Sequence, residues 1–181
     1  MTSKNNLPNR HHRELVRLII LSIFGALIFV SKIAFEGIPN VHPVGMLIMV
    51  ITITYRAWAL LPIYLYVLFF GMFYGFQMWW YPHLYVWLIL WAVTMLLPKN
   101  MSEKTAMIVY PVVCGLHGLS YGVLWSFSNG ILLNYNIHQT LAWLASGFYM
   151  DVIHALGNFA MGFLILPLVK IVKRESAKLG L

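Results

Sequence analysis

The stretch 143–159, WLASGFYMDVIHALGNF, lies inside the last long apolar run of the chain. It carries Asp151, His154 and Asn158 at spacings of three and four, which puts all three on one face of a helix. Asp151 is one of only five acidic residues. An ionisable side chain that faces lipid near the bilayer centre costs at least about 2.5–3.5 kcal/mol. Asp151 is therefore expected to face a polar cavity or a partner side chain, which makes this face a candidate site. The plainer alternative is an internal polar pair that satisfies itself between helices.

Working outward, the composition names the solvent. Of 181 residues, 61% are hydrophobic and 9% charged, and the mean hydropathy is +0.78. A water-soluble domain of this size has too little interior for that much apolar side chain, so a lipid bilayer is expected. The formal charge of +7 falls in brief clusters between apolar runs, the pattern of membrane topology rather than of a nucleic-acid surface. The single Cys114 excludes an internal disulfide framework. The first apolar run has a basic flank but is long enough to span, and no A-x-A-like cleavage site follows it.

Hydrophobic runs separated by turn and charge signals predict six transmembrane helices. They cover about 15–35, 44–55, 58–76, 84–97, 105–127 and 140–169. Residues 1–14 form a basic N-terminal segment and 170–181 a basic tail. The connection 36–43 contains Gly37, Pro39 and Pro43, and reads as a stiff turn-rich loop: a lid or simply a tight connector. Residues 77–83, QMWWYPH, read as an aromatic hairpin. Residues 128–139 are polar and uncharged, with Asn129, Asn134 and Asn136. The halves do not resemble each other, so one six-helix domain, residues 1–181, is the simplest organisation.

Six spans bring both termini to one side, and the charges test this. Lys4, Arg10, Arg13, Arg17, Arg56, Lys99, Lys104, Lys170, Lys173, Arg174 and Lys178 all fall on the side of the termini; only Lys32 approaches the other. Cytoplasmic loops are enriched in Lys and Arg, so both termini are expected in the cytoplasm. The opposite side is rich in hydrogen-bonding and stacking groups, including Asn40, His42, Trp79, Trp80 and His83. Those tryptophans serve either an interfacial belt or a cavity that stacks on a flat ring.

Other features are weaker. His42, His83, His117 and His154 sit on four segments, and bis-histidine haem ligation defines one competing class, a small haem-binding or redox membrane protein. An intramembrane enzyme with Asp151 and His154 as an acid–base pair is another. The small-residue pairs Ser22/Ala26, Gly71/Gly75 and Gly118/Gly122 allow close helix approach, within the chain or to a partner. The chain has no G-x-x-x-x-G-K-[ST], G-x-S-x-G or H-E-x-x-H motif, so no ATP hydrolysis by the chain itself is expected, and no cofactor or metal site is predicted.

The segments IPNVHPVGMLI (38–48), YGFQMWWYPHLYVW (74–87) and SGFYMDVIHALGNF (146–159), with the length and span pattern, resemble the substrate-binding S components of energy-coupling factor (ECF) transporters. These bacterial importers take up vitamins. The resemblance covers most of the chain. It implies a ligand near the outer surface, under the first outer loop and among the last three helices. Carried over by position, the substrate-binding candidates are Asn40, His42, Trp80, His83, Trp143, Asp151, His154 and Asn158. The family's first helix docks a membrane coupling subunit through an alanine, three residues, alanine motif; Ser22 and Ala26 hold a related spacing here. Two cytoplasmic ATPases would supply the energy, and the S component would topple in the bacterial plasma membrane to release its cargo inside.

Scarce outer charge argues against strongly anionic ligands, whose carboxylates want Arg or Lys. Abundant tryptophan with Asp151 and His154 suits a neutral or weakly basic heterocycle. A vitamin B6 vitamer or hydroxymethylpyrimidine is the expected class, with cobalamin as the alternative.

Overall fold

The computed structural model describes residues 10–181, and no β-strand occurs among them. Lys4 and the rest of residues 1–9 lie outside the described residues. Eight α-helices follow in order: α1 (Arg10–Ala34), α2 (Val44–Tyr55), α3 (Leu60–Tyr74), α4 (His83–Leu96), α5 (Glu103–Leu119), α6 (Tyr121–Leu132), α7 (Ile137–Gly162) and α8 (Ile165–Lys178). Short 3-10 turns at Arg56–Ala59 and Met78–Trp80 join α2 to α3 and lead into α4.

Side-chain pairings give the direction of each rod. Arg17 lies over Trp58, Gly25 meets Pro62 and Leu65, and Phe29 stacks on Phe69 and Phe73, so α1 and α3 run parallel. The Trp80 indole donates to the Val67 carbonyl and the Tyr64 hydroxyl to that of Leu84, so α4 runs against α3. Tyr85 donates to the Leu124 carbonyl and His117 meets that of Val86, so α5–α6 runs against α4. Gly162 lies on Pro111, Gly115 on Phe159 and Gly122 on Asp151, so α7 runs against α5–α6. The chain thus makes six passes, with α5–α6 and α7–α8 each forming one.

By length and composition, the stretches Arg10–Ala34, Val44–Tyr74 and Glu103–Leu132 are able to cross a membrane, and the bent pair Ile137–Gly162 with Ile165–Lys178 makes four. Val44–Tyr74 is nevertheless turned back on itself. Arg56 has φ 56° and ψ −120°, outside any helix, and α2 and α3 therefore form two passes. With 12 and 14 residues, α2 and α4 are only about 18 and 21 Å long at 1.5 Å per residue.

Three boundaries differ from the sequence expectation. The helix α1 begins at Arg10 rather than near Leu15, continued by the Arg10–Glu14 pair one turn apart, 2.9 Å. The fifth run breaks at Ser120 and then continues to Leu132, past the expected end at Phe127. The sixth bends by 48° after Gly162, and its tail is helix rather than coil. Lys170 pairs with Glu103 at 2.7 Å and the Tyr55 hydroxyl meets Ser176 at 2.7 Å, which seats α8 against α5 and α2.

The core is built round α2, which is apolar on all sides and buried from Val44 to Thr52. Ile63, Tyr66, Trp87, Leu90, Cys114 and Ile165 from the other helices share its core cluster. The outer surface is the reverse of a soluble protein's. Ile23, Met72, Ile108, Ile131 and Leu156 are each more than three-fifths exposed. Contiguous apolar surface of this kind is a liability in water and natural against hydrocarbon. Three of the four paired glycines serve internal packing: a Cβ on Gly118 would sit 2.9 Å from the His154 carbonyl carbon, Gly122 meets Asp151, and Gly71 lies under Phe76 and Trp80, whereas Gly75 ends α3 with φ 92°. Ser22 and Ala26 instead point outward from α1, which packs inward through Leu21, Gly25 and Ile28.

Gly118→Ala is expected to cost about 1–3 kcal/mol by forcing α5 and α7 apart. Gly147→Ala, where a Cβ meets nothing within 4 Å, is expected to stabilise by about 0.5–1 kcal/mol through helix propensity. Thermal unfolding in detergent micelles, followed by helical circular dichroism, measures both.

Candidate functional site

Most of the polar groups left inside the bundle collect at one end. The opposite end holds the start of α1 and the end of α8, where Arg17, Lys173 and Leu181 share a shallow cleft with Tyr55 and Trp58. A cavity of about 340 Å³ opens under the 35–43 connection. Lys32 of α1, Asn40 and His42 of the connection, Phe70 of α3, and Trp79 and His83 at the head of α4 line it. Tyr121, Gly122 and Trp125 of α6, with Trp143, Gly147, Met150, Asp151 and His154 of α7, complete the lining.

Asp151, His154 and Asn158 are all buried on the inner face of α7, as the spacing predicts. Asp151 Oδ1 accepts from the backbone N–H of Gly122 at 3.0 Å. Gly122 is the second residue of α6, whose first-turn N–H groups lack partners within their own helix. The break at Ser120 therefore creates a donor, and Asp151 crosses from α7 to take it. A side chain at position 122 would occupy the carboxylate's own place. The carboxylate thus both caps α6 and faces the cavity.

His154 meets Tyr121 at 4.7 Å and His42 at 5.0 Å between ring centres, both edge-on. Its Nε2 is buried and has no hydrogen-bond partner in the protein, and neither has His42 Nδ1. His83 Nδ1 lies 3.2 Å from the Trp79 carbonyl. That nitrogen carries the proton, since a carbonyl can only accept, and Nε2 remains as an acceptor. His83 also stacks on Phe70 at 4.5 Å and meets Trp125 at 5.6 Å. The walls therefore combine ring faces with unpartnered ring nitrogens and one unspent carboxylate oxygen.

Asn40 lines the cavity, but its amide is engaged: Nδ2 donates to the Met150 carbonyl at 3.1 Å. Its φ of 55° is left-handed, a conformation asparagine tolerates better than most residues. Asn40 thus latches the 35–43 connection onto α7.

Two expected site residues lie elsewhere. Trp80 does not reach the cavity: its indole donates to the Val67 carbonyl at 2.9 Å and its ring meets Phe76, so it pins the turn before α4. Its neighbour Trp79 takes the cavity position, because one step along a 3-10 turn rotates a side chain by about a third of a revolution. Asn158 lies one turn of α7 deeper than His154, 1% exposed, against Gly45 and Cys114. Among the residues the sequence reading left out, Lys32 carried the clearest signal, as the lone cation approaching an otherwise cation-free side.

A larger void of about 540 Å³ lies between α4 and α5. Ile89, Val93, Leu116 and Leu119 form it and are also exposed on the outer surface. Its histidine, His117, directs Nε2 to the Val86 carbonyl at 3.1 Å. The groove suits an acyl chain and offers little for recognising a polar molecule. Among the described residues no group of three or more His, Cys, Asp or Glu side chains converges as a metal site would require. The edge-on contact of His42 and His154 leaves no gap for a porphyrin between them. No family model, curated protein or solved structure matches this chain.

Asn40→Ala and Asn40→Gly are both expected to release the connection. Each loses one hydrogen bond worth about 1 kcal/mol, although glycine keeps the left-handed backbone. Hydrogen exchange is expected to quicken at Val41 and His42 in both variants, with α7 unchanged. Protection retained in the glycine variant alone would assign the effect to backbone strain instead.

Proposed function

We propose that this chain is the substrate-binding S component of an ECF-type importer in a bacterial plasma membrane. It captures a small water-soluble ring compound at the outer face and delivers it inward. A membrane coupling subunit and two cytoplasmic ATPases supply the energy, and the chain itself catalyses nothing. The observation that carries this reading is the cavity at the end opposite the basic one. It gathers Asn40, His42, His83, Trp143, Asp151 and His154 from segments far apart in the sequence.

In this reading all six passes cross the bilayer and both termini are cytoplasmic, as the distribution of Lys and Arg favours. The short α2 fits, because it is enclosed by the other helices and need not match the hydrocarbon thickness itself. At about 340 Å³ the cavity is near the small end of the roughly 300–1,000 Å³ typical of ligand sites. That favours a single substituted ring, such as a vitamin B6 vitamer or hydroxymethylpyrimidine, over the corrin of cobalamin. The outward small face at Ser22 and Ala26 is the coupling-subunit contact.

Affinity purification from the native membrane is expected to bring down a coupling subunit and two ATPases. Ala26→Trp is expected to reduce that yield at least tenfold while the chain stays folded, because Ala26 is exposed. Wild-type recovery of partners with the tryptophan variant would remove α1 from the contact. A haem Soret band in place of partners would favour the redox class.

A further inference from the structure

Among the described residues, Lys32 and Asp151 are the only Lys or Arg and the only carboxylate on the cavity wall. They stand on α1 and α7 and form no ion pair within 4 Å, with each other or with any described residue. Five of the chain's other described cations are better provided for. Arg10, Lys170, Arg174 and Lys178 pair with carboxylates, and Arg56 donates to the Met95 carbonyl at 2.6 Å. The acidic residue that acts on Lys32 is Glu36, one helical turn away, which also lies beside the Tyr74 phenol. Of the Asp151 oxygens, Oδ1 takes the Gly122 N–H and Oδ2 accepts from no described donor. The rings of Phe70, Trp79, Tyr121 and Trp125 line the same cavity.

Resting on the binding function proposed above, we infer that the cavity selects a dipolar ring. Such a ligand carries one acidic oxygen, held by Lys32, and one protonated ring or amino nitrogen, held by Asp151. A partly buried charge is costly unless it is paired. A purely cationic ligand leaves the ammonium of Lys32 without an ion-pair partner, and a purely anionic one does the same to the Asp151 carboxylate. A molecule with both charges satisfies both walls and brings no net charge into the low-dielectric interior. Its flat body stacks on the aromatic rings of the same wall. This narrows the expectation of a neutral or weakly basic heterocycle. A 3-hydroxypyridine, as phenolate and pyridinium, fits; an aminopyrimidine without an acidic oxygen does not.

The test is mass spectrometry of small molecules released by denaturation from the full-length protein, purified from its native membrane into lipid nanodiscs. Wild type is compared with Lys32→Met, Lys32→Arg, Asp151→Asn and Gly147→Phe. Position 147 lines the cavity with open space before it, so phenylalanine there blocks binding without disturbing the helices. The expected result is a compound with one acidic group and one basic nitrogen. Its occupancy falls at least tenfold in Lys32→Met and Gly147→Phe and recovers in Lys32→Arg. Asp151→Asn is expected to lose it too; should that variant not elute as a single folded species, Lys32→Met decides. A compound lacking either group, or full occupancy in Lys32→Met with loss in Gly147→Phe, overturns the dipolar selection and leaves the binding function standing. No compound that depends on position 147 overturns both.

Discussion

The seam between α5–α6 and α7 governs what the rest of the molecule can do. Along it Gly118 and Gly162 let backbones meet at distances no Cβ permits, Gly115 sits nearly as close to Phe159, and Gly122 leaves room for the Asp151 side chain. Lipid supplies no hydrophobic drive between helices, so such close packing and the hydrogen bonds it allows must hold them together. Here the packing and the chemistry are one contact. Gly122 admits the Asp151 carboxylate, which caps the broken helix and in doing so is fixed at the cavity wall. Asp151 stands on α7 three and seven residues before His154 and Asn158, so seating the first residue orients the others.

Much of this was legible in the sequence, because lipid imposes strict rules. Helix is the only secondary structure an apolar chain of this kind can adopt without stranded backbone groups, short of a closed barrel. The inner face of α7 followed from spacing alone. The passes were placed within a few residues, except at Ser120 and at the bend after Gly162. At the bend the sequence did carry a signal: Pro167 has no N–H to give the Phe163 carbonyl, and its ring crowds that turn. The break at Ser120 carries no proline, and no pattern of hydrophobicity marks a break that a cross-helix carboxylate stabilises.

The site was less legible. Trp79 and Trp80 are identical in composition and differ only in which one a 3-10 turn points inward. Asn158 shares a face with Asp151, but a face extends over many ångströms of depth and the cavity does not. Asn40 was read as a ligand contact, while its amide holds the connection to α7. Lys32 was counted as topology, one cation against eleven, although an isolated charge on the sparsely charged side needs a local reason of its own.

The cavity itself originates in a mismatch of lengths. The enclosed helix α2 begins only at Val44, whereas α1 and α7, with 25 and 26 residues, are about twice as long. The volume above α2 cannot be filled by helix, and the 35–43 connection folds down into it. His42 is buried there at 7% exposure, and Asn40 ties the connection across to Met150. Irregular backbone at such a position is tolerable only where it lines a polar space or is covered by protein. The proline and glycine that shape this loop, the left-handed asparagine and the buried histidine thus answer one geometric requirement, that a short central rod leaves a hollow at its end.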